Sequence, residues 1–508
     1  MVASVQAASL WGVQGQRVVV EVHIGNGLPA FNIVGQPDGT CREARDRVRA
    51  AILSSGCAWP QNRITVNLAP AEVRKVGASL DLPIAIGVLV ESGQVPAERV
   101  EGRGFLGELG LDGTLRRFPG VVPLVDSLET PEIVLPGVCV HEARLVRGGP
   151  LHCATQLREI VDALLGTMPW PDAPAVSFTL PVANSLDFVD VRGQAMARSA
   201  VEVAAAGGHH LLFSGPPGAG KTMLARRLPA LLPALTRQEA IEVVRIHSAA
   251  SLLVGDRLPT VPPFRAPHHM ASAVALLGGG SAWLRPGELS CAQHGVLFLD
   301  ELGEFAPSVL DALRQPLEEG VIRVERARGS VVYPARFLLV GATNPCPCGW
   351  LGSPLGEGPP CQCSPAARQR YVRRLSGPLL DRFDLRVRVD RPDASEVLSG
   401  APGEATGVIA PRVHAARAVA LQRGVGTNAL IADGDLDRLV PLDLGGRGLL
   451  ERHLRRGTLT ARGVARLRRV ARTIADLEGC DAEAPLPVDA VHLAIEFRRP
   501  VFDAEMAA

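Results

Sequence analysis

The sequence predicts an α/β protein, with a central parallel sheet wrapped by helices, an α+β domain ahead of it and a small helical domain behind it. Three observations carry that expectation. From Asp187 to about Asp390, apolar runs at 210–214, 296–299 and 337–342 alternate with helical segments, the pattern of strands buried on both faces and joined by crossover helices. Ahead of this region, β-like and helical runs also alternate, but they end in a proline-rich break. Behind it, from Arg391-Pro392 onward, strand patterning gives way to helical spacing.

Taken in order, residues 1–167 form the first domain. Runs at 17–22, 63–68 and 132–135 read as strands and 41–54 and 81–92 as helices, enough for a compact α+β unit. Residues 168–186 are the linker, because the prolines from Pro169 to Pro181 break any periodicity. Residues 187–390 hold the α/β core. Residues 391–508 hold the helical domain, marked by Val464, Leu467, Ala471, Ile474 and Leu477 at helical spacing and by Pro485-Leu486-Pro487 before a last helix.

Composition removes several classes of protein. A chain of 508 residues, 47% hydrophobic, has enough apolar material for roughly two to four cores. Its 53 basic and 52 acidic residues nearly cancel, so any nucleic-acid surface has to be local. The first residues lack a basic stretch followed by an apolar core, which argues against a secretory leader. No run approaches the ~18 uninterrupted apolar residues of a membrane span. The expected location is therefore the cytoplasm, with no membrane partner, and the ten cysteines read as thiols or metal ligands rather than disulfides. Only two lysines are present, Lys75 and Lys221, so arginine carries almost all the positive charge.

Chemistry concentrates in the core. After an apolar strand comes Gly215-Pro216-Pro217-Gly218-Ala219-Gly220-Lys221-Thr222, and a helical pattern follows, which is the phosphate-loop arrangement. Glycines let backbone N–H groups wrap phosphates without Cβ obstruction, at a helix start that favours anions. Lys221 supplies a cation for the β- and γ-phosphates of ATP, and Thr222 a hydroxyl for Mg2+. A second apolar strand ends in Asp300-Glu301, where one carboxylate can hold the magnesium and its neighbour can polarise water. A third ends in Asn344, whose amide can orient that water or touch the γ-phosphate.

Cys346-Pro347-Cys348 and Cys361-Gln362-Cys363 place four thiols where a tetrahedral, structural Zn2+ can tie down the loop after Asn344. His268 and His269, read as an extended pair, point to opposite sides and so argue against a metal site. The stretch 251–280 leaves room for an extra hairpin, and 320–334 alternates like a second one, with Arg323, Arg326 and Arg328 on or near its tip.

Loop, acidic pair and polar strand end together resemble the AAA+ ATPases. The surrounding text narrows this: Phe264-Arg-Ala-Pro-His-His269, Pro286-Gly-Glu-Leu-Ser290, Leu313-Arg-Gln-Pro-Leu-Glu318, Asn344-Pro-Cys-Pro-Cys-Gly349 and Ser376-Gly-Pro-Leu-Leu-Asp-Arg-Phe-Asp384 resemble the ComM-type, YifB-like, magnesium-chelatase-like family. The likeness extends to the first domain through Val34-Gly-Gln-Pro-Asp38 and Arg63-Ile-Thr-Val-Asn-Leu-Ala-Pro-Ala71.

The resemblance implies an AAA+ core, a Lon-protease-like (S5-like) first domain and a helical lid. It implies that Arg382 is an arginine finger reaching a neighbour's nucleotide, that Arg469 is the lid arginine sensing nucleotide, and that the chain forms a homo-oligomeric, hexameric ring. It also implies that the two hairpins lie in the pore, where Arg323, Arg326 and Arg328 would contact DNA. Ser79 and Asp81 fall where a Lon-type peptidase site would lie, but no lysine occurs between Lys75 and Lys221 to complete a Ser-Lys dyad, which argues against peptidase activity. The function implied is an ATP-driven motor on single-stranded or branched DNA, promoting branch migration during recombination. The competing expectation is a chelatase-like subunit that remodels a protein partner without touching DNA.

Overall fold

The computed structural model describes residues 2–173, 186–252, 255–280, 284–326, 329–352, 359–375, 377–392 and 394–502. Most of the expected linker, 174–185, lies outside the described residues.

The first domain is built on a seven-stranded mixed sheet in the order Ala30–Val34, Arg63–Ala69, Gln14–Gly25, Ala3–Trp11, Arg103–Phe105, Glu132–Pro136, Leu151–Ala154. Its backbone is the long hairpin Ala3–Trp11/Gln14–Gly25, closed by the pair Trp11 and Gln14. Val5, Ala7, Val18, Val20 and Val22 are buried, the alternation expected of strands with one face on a core. Helices Gly39–Ser54 and Asp81–Glu91 complete the α+β unit. The Ser79 hydroxyl donates to Ala8 O at 3.4 Å, and the buried Asp81 accepts from Arg47 Nε and Nη2 at 2.7 and 2.9 Å. Both groups are taken up in structure. Lys75 is fully buried as well, its ammonium donating to Pro70 O.

The core sheet has five parallel strands in the order Phe264–Arg265, Val296–Leu299, Leu338–Thr343, Leu211–Ser214, Leu385–Arg388. Three of them are the apolar runs read from sequence. Strand Leu211–Ser214, earliest in the chain, lies between the two latest, so the carboxyl ends at its flanks form the crevice where α/β sheets place ligands.

The insertion between Ser251 and Gly280 differs from expectation. Its described part holds strand Phe264–Arg265 and helix Ala273–Leu277, and the antiparallel ribbon comes later, pairing Gly278–Gly279 with Arg285–Pro286. Ser272, capping Ala275 N, starts a helix inside the stretch where the extra hairpin was expected. The second hairpin is as predicted, Val321–Arg326 against Gly329–Pro334. Ile322, Val324, Val331 and Tyr333 form its buried face and Arg323 and Val332 its exposed one.

That buried face meets the first domain: Trp11 and Val13 pack in the same cluster, and a Cβ on Gly12 would lie 2.4 Å from Val331 Cγ1. A second junction is helix Arg237–Ala249. Gly120 N donates to Ser248 O at 3.0 Å, the Ser248 hydroxyl donates to the buried Glu142 at 3.1 Å, and Arg117 pairs with Glu142 at 2.7 Å. The first domain therefore grips the core at two separate elements.

The C-terminal region is helical as expected, through Thr406–Gln422, Leu444–Arg455, Ala461–Leu477 and Val488–Glu496. Helix Ala461–Leu477 buries Leu467, Val470, Ala471 and Ile474, and with them Arg472, whose guanidinium is matched by Asp476 one turn on. Among the described residues, no helix is long and apolar enough to cross a membrane.

Candidate nucleotide site

The segment Gly215 to Thr222 leaves the end of strand Leu211–Ser214 and enters helix Lys221–Arg227. Gly218 and Gly220 have φ of 77° and 90°, a left-handed conformation that a side chain would strain, which is why the turn needs glycine there. The turn wraps the Lys221 ammonium. Nζ donates to Gly215 O at 2.5 Å, Pro216 O at 2.9 Å and Asn344 Oδ1 at 3.1 Å. Burial pushes this ammonium down to about 8, against the opposing pull of Asp300 and Glu301.

Thr222 Oγ1 donates to Asp300 Oδ2 at 2.7 Å, and Asp300 Oδ1 accepts from Glu301 N at 2.9 Å. Three motifs far apart in sequence thus converge at the carboxyl ends of three adjacent parallel strands. A hydroxyl and a carboxylate side by side are the hard oxygen donors that Mg2+ selects, and a lysine held by neutral oxygens can transfer to an anion. The residues present fit a magnesium-bound nucleoside triphosphate.

Glu301 follows its strand with φ of 50°, an uncommon conformation for a side-chain-bearing residue, and its carboxylate is half-exposed. Its partner is His269, Nδ1 to Oε2 at 3.1 Å. This corrects the expectation for the histidines. His268 and His269 lie with ring centroids 4.1 Å apart, because the chain turns here, with Ala271 N donating to His268 O at 2.9 Å. A turn removes the strand alternation on which opposite directions depended.

The predicted arginines lie elsewhere. Arg382 follows helix Gly377–Leu380, and its largely buried side chain pairs with Glu318 on helix Arg314–Glu319. Arg462, Arg466 and Arg469 share one face, but only Arg462 is exposed. Arg469 donates to Ile431 O at 2.7 Å and pairs with Asp433, within the helical domain. Arg466 is the one that reaches the core, donating to Arg382 O at 3.1 Å and Asp384 at 2.9 Å. On the second hairpin, exposed Arg323 lies 3.4 Å from Glu319, Arg326 pairs in register with Gly329, and Arg328 lies outside the described residues. The sulfurs of Cys346, Cys348, Cys361 and Cys363 come together beside the site.

Sequence reasoning missed the supports of the loop. Arg391 Nε and Nη2 donate to Pro217 O at 3.0 and 2.9 Å, and Gln194 Nε2 donates to Ala219 O at 3.3 Å. Tyr371, on helix Pro365–Arg374, brings its hydroxyl within 3.2 Å of Thr343 Oγ1, just before Asn344. Each contact joins segments brought together only by the fold, and no local spacing announces it.

Comparison with known proteins agrees with this architecture. Family models described as subunit ChlI of magnesium chelatase match residues 20–137 and 187–397, and the model of that subunit's C-terminal part matches 403–498. An uncharacterized protein of Mycobacterium tuberculosis is 45% identical, covering 96% of this chain and 97% of its own length. Competence protein ComM of Haemophilus influenzae is 42% identical over 94% of each chain, and the uncharacterized protein YifB of Escherichia coli 41% over 92% of each. With relatives this similar from end to end, the chain belongs to the ComM- and YifB-like family of magnesium-chelatase-type, AAA+-like proteins.

Proposed function

We propose that the protein is an ATP-driven ring motor acting on single-stranded or branched DNA, with the hydrolytic site formed by Gly215 to Thr222, Asp300, Glu301 and Asn344. The observation that carries the hydrolytic part is the junction of Lys221 with Asn344 and of Thr222 with Asp300 at neighbouring strand ends. The DNA part draws on the end-to-end likeness to a competence protein.

On this reading the loop N–H groups and Lys221 bind the phosphates, Lys221 exchanging its three oxygen partners for the β- and γ-phosphates. Thr222 and Asp300 would hold the magnesium ion, which would supply neutralisation of charge developing on the phosphates. Glu301 accepts a proton from the attacking water once it has left His269, and Asn344 keeps that water in line. Arg382 leaves Glu318 to meet the γ-phosphate of the neighbouring subunit in the ring, and Arg469 senses nucleotide after leaving Asp433. Arg323, Arg326 and Arg328 then act on the strand in a hexameric pore.

One observation favours the competing reading, a chelatase-like subunit that remodels a protein. Among the described side chains of the hairpin, the exposed Arg323 is charge-matched by Glu319, and the buried face is committed to the first domain. Steady-state ATP hydrolysis with and without single-stranded and forked DNA separates the two, with Glu301→Gln as the inactive control. Several-fold stimulation by DNA is expected, and hydrolysis indifferent to DNA would transfer the proposal to a protein client.

A further inference from the structure

We propose that Cys346, Cys348, Cys361 and Cys363 bind one zinc ion per chain, and that this ion fixes the wall against which the phosphate loop rests. The coupling half of the proposal rests on reading residues 215–222 as that loop; the metal half does not.

The sulfur geometry is that of a cage. All four Sγ atoms lie within 4.8 Å of one another, with Cys346 to Cys348 at 3.4 Å and Cys361 at 3.6 Å from each of those two. A tetrahedral ion with Zn–S of ~2.3 Å sets its sulfurs about 3.8 Å apart, and a disulfide would need ~2.05 Å. Four soft thiolates suit zinc and exclude the magnesium of the neighbouring oxygen site.

The surroundings also suit thiolates. The Arg368 guanidinium donates to Cys361 Sγ at 3.4 Å, a cation beside a centre that would carry two net negative charges. Donors of this kind orient ligands and stabilise their charge around a bound metal.

The same loop is pressed onto the phosphate loop. Cys346 is two residues past Asn344, the acceptor of Lys221. Gly349 approaches so closely that a Cβ there would lie 2.5 Å from Pro217 Cδ. The Trp350 ring lies under the Arg391 guanidinium at 4.5 Å, and Arg391 in turn donates to Pro217 O. Leu351 and Pro345 share a cavity wall with Gly215 and Pro216. Without the ion, the segment that supports Pro217 and carries Asn344 loses the four-sulfur junction between its two ends and keeps, among the described residues, the Thr343–Tyr371 contact.

The test uses the full chain purified without chelator. Elemental analysis is expected to give one zinc per chain, and Cys363→Ser substantially less. Zinc is then extracted from the wild-type protein with an organomercurial and a chelator, and amide hydrogen exchange is compared before and after. Exchange across 215–222 and 344–352 is expected to rise several-fold, to leave strand Ala3–Trp11 unchanged, and to recover when zinc is restored. Iron, a disulfide mass or less than half an equivalent of zinc in the wild-type protein would overturn the metal assignment. Stoichiometric zinc whose removal leaves exchange at 215–222 unaltered would overturn the coupling. Because exchange is read without nucleotide, a failure of ATP binding would count against the proposed function alone.

Discussion

Lys221 shows how much one residue is asked to do before any ligand arrives. Its ammonium organises Gly215 O, Pro216 O and Asn344 Oδ1 around one point, so Lys221→Ala removes both the phosphate partner and the link between the loop and Asn344. ATP turnover is expected to fall by a factor on the order of 100 or more, the scale of losing a charge-stabilising donor, as read by steady-state phosphate release; near-normal turnover would remove the loop from the site. Arg382 is a different case, because within one chain it touches Glu318 and none of the loop residues it is meant to serve. Arg382→Ala is expected to leave ATP affinity within about twofold, measured with a fluorescent analogue, and to lower hydrolysis by roughly 1000-fold, the range found for arginine fingers. Equal loss of binding would show that the residue acts within its own subunit.

At the scale of elements, the second hairpin has two faces with opposite duties. Val331 is buried against Gly12 and Val332 is half-exposed on the other side, so Val331→Asp is expected to cost about 2–4 kcal/mol in urea unfolding and Val332→Asp under about 0.5 kcal/mol. Equal effects would mean that the hairpin does not dock on the first domain. This element was legible because apolar and charged residues alternate over 322–325 ahead of Gly329, a strand running into a turn, while Val331-Val332 leave the faces of the second strand unannounced. So were the buried strands at Leu211–Ser214, Val296–Leu299 and Leu338–Thr343, and the loop whose spacing is itself the chemistry. The insertion before Gly278 was not, because Ser272 caps a helix within a segment too short to show a period. Helix Ala461–Leu477 was legible as an apolar stripe, but the partners of the arginines off that stripe were not, because whether Asp384 and Asp433 come to meet them depends on tertiary packing. His269 beside Glu301 and Arg391 beside Pro217 were hidden for the same reason.

At the scale of the whole molecule, the finger and the loop are separable functions. If Arg382 works across a subunit boundary, mixing Arg382→Ala chains with Lys221→Ala chains creates interfaces where an intact loop faces an intact finger. Hydrolysis by the mixture is expected to exceed the sum of its parts, reaching a sizeable fraction of wild type after subunit exchange; strict additivity would rule out a shared site. The scarcity of lysine has a separate consequence. Both lysines are buried, one bonded to Pro70 O in the first domain and one inside the phosphate loop, so the folded surface offers no side-chain amine. Acylating reagents and lysine-directed modifying enzymes would therefore find no side-chain target on the native protein, and the appearance of two labelled lysines becomes a covalent record that a molecule has unfolded.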